Sequence, residues 1–247
     1  MKKIFALAFG ALLTTALFAQ DSATTRTIEP LRKKEKIDMS NRSNDHFLVQ
    51  LGYTKWAGIP DTINTAGFSK SINVYFMFDF PFKTNPKLSM AFGPGIASDH
   101  ILFTKTNVGI KELTPAIIRF TNVADTNNFK KTKLATVYFE APVEFRYSAN
   151  PTTGKGLKAA IGVKAGTLIN AHTRNTKYQN KAGSDINGFT LKEASKNFFN
   201  KTRISVMGRV GAGHFSLYGS YQLTPLFKDG SGPVVRPFSI GITLSGI

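Results

Sequence analysis

The chain has 247 residues and contains no cysteine. Disulfide bonds are therefore excluded, as is a lipid anchor on a cysteine near an export cleavage site. Long apolar runs are also missing. After the N-terminal segment, nothing approaches the roughly 18 consecutive apolar residues of a membrane-spanning helix. Any insertion of the later chain into a membrane must consequently use strands.

An export signal is present at the N-terminus. Lys2 and Lys3 precede a short apolar run over residues 4–17, and residues 16–19 read Ala-Leu-Phe-Ala, a small-residue cleavage pattern. An uncleaved membrane anchor is the alternative, but a span needs about 20 apolar residues. We predict a signal peptide over residues 1–19, a flexible periplasmic segment over residues 20–45 that is too polar to fold alone, and one domain over residues 46–247.

Apolar and polar residues alternate in eight stretches of this domain. In the clearest one, Ala135 to Tyr147, aromatic and aliphatic residues occupy one parity, while carboxylates and an arginine occupy the other. Successive side chains of a strand point to opposite faces, so one face can be apolar and the other wet. The predicted strands cover residues 47–53, 71–80, 88–103, 135–147, 157–169, 202–210, 214–223 and 238–244.

The connections between these strands are alternately long and short, as expected for tight periplasmic turns and extended external loops. The sequence therefore predicts an all-β fold, an eight-stranded antiparallel up-and-down transmembrane β-barrel, whose closure leaves no unpaired edge in lipid. A soluble exported barrel of lipocalin type would need polar outward positions. Phe76, Phe78, Phe139 and Phe145 stand at those positions instead.

Charged residues are predicted on the inward parity of several strands. An eight-stranded interior is only wide enough for side chains or one small ligand, so we expect a salt-bridged, plugged lumen rather than an open pore. The expected lumen charge network consists of Asp79, Glu140, Glu144, Arg146, Lys158, Lys164, Arg203 and Arg209.

Two arrangements suggest an enzyme. Glu140 and Glu144 could form an acid and base pair, and His214 shares a strand face with Ser216. Five basic residues are available to neutralise the glutamates, and a His-x-Ser pattern is common by chance. The four histidines show no metal-binding spacing. We therefore expect a non-enzymatic protein without a catalytic residue, cofactor or metal.

The formal net charge is +17, from 32 Lys and Arg against 15 Asp and Glu. Such a balance can indicate nucleic acid binding, but export and lipid-facing strands set that partner aside. We expect the cations to face outer-membrane lipid and lipopolysaccharide, since polybasic segments hold anionic headgroups. The basic external loops are predicted to include Lys130, Lys131, Lys133, Arg174, Lys177 and Lys181.

Several segments also resemble a known family. Residues 209–233, followed by 237–244, look like the C-terminal hairpin of the PorT-like outer membrane β-barrel family, and residues 138–147 and 162–173 are similar to its middle strands. The resemblance implies a single small barrel without a cofactor, in the outer membrane of a Gram-negative bacterium.

Two functions remain open at this point. The first is a non-enzymatic integral outer-membrane barrel whose basic external loops bind envelope glycolipid, a surface ligand or a partner protein. The second is a small-ligand carrier or lipid-modifying hydrolase that uses the barrel interior or mouth. Replacing Glu140 and Glu144 by glutamine would abolish an interior function and leave loop binding intact.

Overall fold

The computed structural model describes residues 46–65, 67–111 and 117–246. The predicted signal peptide over residues 1–19 and the predicted flexible segment over residues 20–45 lie outside the described residues. Within these ranges the regular structure consists of antiparallel strands. The described part of the chain contains no helix that is long and apolar enough to cross a membrane.

The strands of the described ranges, in chain order, are β1 (Phe47–Ala57), β2 (Lys70–Phe76), β3 (Phe78–Pro81), β4 (Leu88–Phe92), β5 (Gly95–Phe103), β6 (Thr106–Gly109), β7 (Arg119–Asn122), β8 (Asn128–Ser148), β9 (Leu157–Gln179), β10 (Asp185–Ala194), β11 (Thr202–Ala212), β12 (Phe215–Gln222) and β13 (Arg236–Ser245).

Among the described residues, eight strands close into a ring. The order around it is β1, β2, β5, β8, β9, β11, β12 and β13, and β13 pairs with β1. Along the chain each of these strands pairs with the next ring strand, and every pairing is antiparallel. All eight predicted strands lie in the sheet that contains this ring, and the ring has the predicted number of strands.

The whole sheet holds eleven strands among the described residues, more than the eight predicted. Two predicted strands are each divided in two, at Met77 between β2 and β3 and at Gly93-Pro94 between β4 and β5. Pro94 has no N–H for the ladder, while its carbonyl accepts a hydrogen bond from the Phe76 amide at 2.9 Å. The pairing is thus interrupted locally, and the β3–β4 hairpin stays in the sheet through β8.

The two faces of the ring differ as the alternation predicts. Outward apolar side chains are solvent-exposed in the isolated chain, including Ile161 at 68%, Leu217 at 64% and Ile240 at 61%. Inward positions are buried and largely polar, as in β1, where Gln50 and Thr54 are fully buried. We call the outward apolar surface of the ring strands the apolar belt.

Connection lengths also agree with the prediction. Short turns at residues 82–87, 149–156 and 213–214 lie at one end of the ring, the short-turn end. Longer connections lie at the opposite, long-loop end. The turn after β11 is formed by Gly213 and His214, whereas the predicted strands left residues 211–213 for it. Gly213 adopts the positive φ of 61° that such a two-residue turn favours.

Much of the third and fifth predicted connections is strand. β8 begins seven residues before the predicted start at Ala135, β9 continues ten residues past Ile169, and β10 pairs with the end of β9. We call residues 128–136, 171–179 and 185–194 the three-stranded extension. Its two faces are both largely polar, so it lacks the alternation that identifies the ring strands.

Buried apolar side chains pack together at the long-loop end. Inward strand residues such as Trp56 and Leu134 contact loop residues such as Phe199 and Phe227 in one cluster. The Trp56 ring meets the Phe227 ring edge-on, with centroids 5.8 Å apart. We call this group the apolar cluster.

Candidate functional site

Two carboxylates of β8 organise the interior of the ring. Glu140 and Glu144 are four residues apart on the same inner face and are 1% and 0% exposed. A strand rises about 3.3 Å per residue, so the two side chains start about 13 Å apart and bind separate sets of partners.

Glu140 lies at the centre of the first set. Its carboxylate accepts a hydrogen bond from the Tyr75 hydroxyl at 2.8 Å and lies 3.6 Å from the Lys164 ammonium. Arg203 Nε is 3.2 Å from Glu140 Oε1, an ion pair in which the N–H does not point at the oxygen. Arg203 Nη1 donates to Asp99 at 2.7 Å. We call these residues the Glu140 cluster, in which two carboxylates balance two cations.

Glu144 forms the second set nearer the short-turn end. It accepts hydrogen bonds from Arg146 Nε at 2.7 Å and from Arg209 Nη2 at 3.2 Å. Arg146 Nη1 is also 3.7 Å from Asp79, which accepts a hydrogen bond from Ser89. These charges are almost fully buried, so removing one member would leave its partners poorly compensated.

The structure brings all eight residues of the expected lumen charge network to the inner face, in these two groups. Lys158 is 6% exposed and borders the Glu144 group. The sequence prediction missed Asp99, although this residue has inward parity on β5. It also missed Tyr138, whose ring lies 4.9 Å from the Arg203 guanidinium carbon in a cation–π contact.

The inward parity of Lys158 and Lys164 on β9 does not continue to Asn170. Asn170 is exposed because the β8–β9 register shifts: Val137 pairs with Asn170, whereas Tyr138 pairs with Leu168. A β-bulge of this kind reverses the parity that follows it. Beyond the bulge, the buried positions of β9 are consequently Ala171, Thr173 and Asn175.

The interior leaves little free space at the charged groups. A cavity of about 20 Å³ is lined by residues that include Asp79, Arg146, Lys158 and Arg209. This is room for about one water molecule. Further along the lumen, Asn73 donates to Gln50, which donates to Thr243, both at 3.2 Å, so polar side chains of three strands bond across the interior.

The proposed His–Ser pair is not assembled. His214 lies in the β11–β12 turn, where its Nδ1–H donates to the Ser245 carbonyl at 2.9 Å. Ser216 is buried on the inner face, and no hydrogen bond joins it to His214 within the described ranges. Those ranges also hold no group of three His, Asp or Glu residues that could bind a metal.

The basic residues assigned to external loops lie mostly on strands, which corrects the prediction. Lys130, Lys131 and Lys133 belong to β8, and Arg174 and Lys177 belong to β9. They were assigned to loops because polar residues on both faces hide the strand periodicity. Lys181 does lie in a turn, between β9 and β10, where it is 3.3 Å from Asp125.

A family model described as "Outer membrane protein beta-barrel domain" matches residues 18–228. The chain belongs to this outer membrane protein beta-barrel domain family. Membership agrees with the ring, its apolar belt and its buried interior charges, and it makes the chain an integral outer-membrane barrel protein. No curated protein shows detectable similarity to this barrel domain.

Proposed function

We propose that the chain is a non-enzymatic, eight-stranded up-and-down transmembrane barrel of PorT-like type in the outer membrane of a Gram-negative bacterium. It is exported by a signal peptide that is cleaved. Its lumen is plugged, and its basic external surface binds an envelope glycolipid. The long-loop end faces outward, because tight turns are typical of the periplasmic side.

One observation carries the plugged-lumen part of this proposal. From the short-turn end to the long-loop end, the interior is filled first by ion-paired charged side chains and then by the apolar cluster. The apolar belt lies on the outside of the ring. An eight-stranded interior has little room beyond its side chains. The wall therefore faces lipid, and the external surface is the part available for binding.

Electrophoresis and bilayer recording test this architecture. We expect the protein extracted from outer membranes to migrate differently before and after boiling, because a closed barrel resists unfolding in detergent. Planar bilayers that contain the folded protein should show no steady single-channel current. Recovery in the soluble fraction with identical migration would contradict membrane insertion, and a steady ion current would contradict the plugged lumen.

A partner protein is a second candidate for the external surface, supported by the free edge of β10. β10 is the terminal strand at one edge of the sheet. Its residues Ile186, Phe189 and Leu191 are 54%, 45% and 42% exposed. An exposed, apolar edge strand is a template for strand addition by another chain.

Site-specific photocrosslinking in cells tests the second candidate. A photoreactive amino acid at Phe189 is expected to give a discrete higher-mass adduct. The same probe at Thr152, in a short turn at the opposite end, should give none. Equal labelling patterns at both positions would reject the β10 edge as a specific docking strand.

A further inference from the structure

A row of three cations crosses the outward face of the three-stranded extension. Lys133 of β8 stands directly opposite Arg174 of β9, and Arg174 stands directly opposite Lys192 of β10. Directly opposed residues have Cβ atoms about 5 Å apart, and like charges in such pairs are destabilising. We call these three residues the cationic row.

The cationic row has no internal counter-charge. In the part of the chain that the structure describes, none of its three members forms an ion pair with a carboxylate. Burial and the charges of Arg174, Lys70 and Lys192 lower the pKa of Lys133, which lies beyond the apolar belt. The fold thus keeps an unfavourable concentration of positive charge, which an anionic ligand would relieve.

A groove adjoins the row on its β5 side. It has a volume of about 590 Å³, and its lining includes Lys70, Lys131, Lys133 and Arg174 together with apolar Phe68 and Leu102. Phe68 is 66% exposed. The groove therefore offers cations and apolar surface to the same ligand, a combination that suits an anionic amphiphile rather than a free anion.

The order of side chains along β8 places the row at a defined height. The outward residues Val137 and Phe139 belong to the apolar belt, and Lys133 lies four residues beyond Val137, about 13 Å along the strand. This is where lipid headgroups begin if the belt contacts acyl chains. Beyond the row, the rings of Phe129, Tyr178 and Phe189 form an aromatic group with centroids 5.2 to 6.0 Å apart.

We propose that the cationic row, together with Lys70, binds the phosphate groups of a phosphorylated glycolipid in the outer leaflet. The inference rests on the proposed function and specifies where the glycolipid binds and which of its chemical groups the protein contacts. The acyl chains lie along the apolar belt, the phosphates contact the cations, and the sugar faces the aromatic group. Lys and Arg are suited to phosphate oxygens because the hydrogen bonds are charge-assisted.

Native mass spectrometry of the full-length, folded protein in detergent tests the site. The probes are bisphosphorylated lipid A and the same lipid with both phosphates removed. The variant K133Q/R174Q/K192Q neutralises the row. The matched control K83Q/K87Q/K155Q removes three exposed cations from the short-turn end. Heat-modifiable migration verifies that each variant is folded, and the row variant should fold readily because it relieves like-charge repulsion.

We expect the row variant to bind bisphosphorylated lipid A on the order of 100-fold more weakly, since each cation near an anionic lipid is worth about fivefold. The control should bind like the wild type, and removing the phosphates should weaken wild-type binding to a similar degree. Millimolar inorganic phosphate should leave the lipid bound, because phosphate alone lacks the apolar contacts.

Three results would overturn the inference. Equal binding by the wild type and the row variant would reject this site and leave glycolipid binding elsewhere on the surface intact. Full displacement by inorganic phosphate would reject a lipid as the ligand. No binding of lipid A by the wild type would reject both this site and the glycolipid part of the proposed function.

Discussion

Replacing Glu140 by glutamine is expected to lower the free energy of unfolding by about 3–5 kcal/mol, because it breaks a buried ion-pair group from one side. Lys164 would lose its carboxylate partner and retain the Tyr75 hydroxyl at 3.3 Å, and Arg203 would retain Asp99 as a carboxylate partner. Glutamine has nearly the same volume as glutamate, so the loss of stability measures the effect of removing the negative charge. Urea unfolding of the folded protein in detergent micelles, followed by gel mobility, measures the shift.

The matched control for this change is Asp229→Asn. Asp229 is exposed in the β12–β13 connection, and the same loss of one carboxylate there should change stability by less than about 0.5 kcal/mol. Equal, small effects of the two substitutions would show that the Glu140 cluster does not stabilise the fold. Retained lipid A binding by folded E140Q protein would further separate surface binding from a carrier or hydrolase that works inside the barrel.

When Gly241 is replaced by alanine, we expect most of the protein molecules to fail to fold. Gly241 of β13 stands opposite Gly52 of β1, and a Cβ at Gly241 would collide with the backbone of Leu51 and Gly52. The backbone of β1 cannot move away without breaking the hydrogen bonds between β1 and its neighbours in the closed ring. The loss of folding free energy should therefore exceed the roughly 1–3 kcal/mol that ordinary overpacking of a core costs. The folded, heat-modifiable fraction after refolding into detergent measures the effect.

Gly219→Ala is the control for the glycine substitution. Gly219 lies on the neighbouring strand β12, and a Cβ there would meet nothing within 4 Å. This variant should fold like the wild type. If both alanine variants folded to the same extent, the close approach of β1 and β13 at Gly52 and Gly241 would not be a requirement of the ring.

The absence of a side chain at Gly52 also makes room for Tyr218. Tyr218 reaches across the position of Gly52, where an added Cβ would meet its hydroxyl, and that hydroxyl shares a 2.9 Å hydrogen bond with Ser71 of β2. A glycine on the inner face thus makes room for a tyrosine two strands away. Single-strand periodicity identifies Tyr218 as inward but does not indicate which glycine lies beneath it.

The parity of the ring strands was predictable because one face is apolar and the other is polar. From Ala135 to Tyr147 the outward parity is aliphatic or aromatic throughout, and the structure places Glu140, Glu144 and Arg146 inside as expected. Beyond the apolar belt the contrast vanishes. Lys133 and Arg174 were therefore assigned to loops, although they belong to continuous strands.

Register was not predictable from the same pattern. The bulge at Ile169 of β9 turns Asn170 outward, and nothing in the local sequence distinguishes this segment from an unbroken strand. Partner choice was equally hidden, since Arg203 and Asp99 are 104 residues apart and meet only because β5 and β11 face each other across the ring.

By itself, the sequence determined the periodicity of the strands, the alternation of turn lengths and which face of each ring strand is apolar. These properties follow from local spacing along one chain. The tertiary structure alone decided which charges meet in the interior, where the apolar cluster packs and that Lys133, Arg174 and Lys192 form one row. Those features depend on the register between strands far apart in sequence, which closure of the ring sets through many hydrogen bonds acting together.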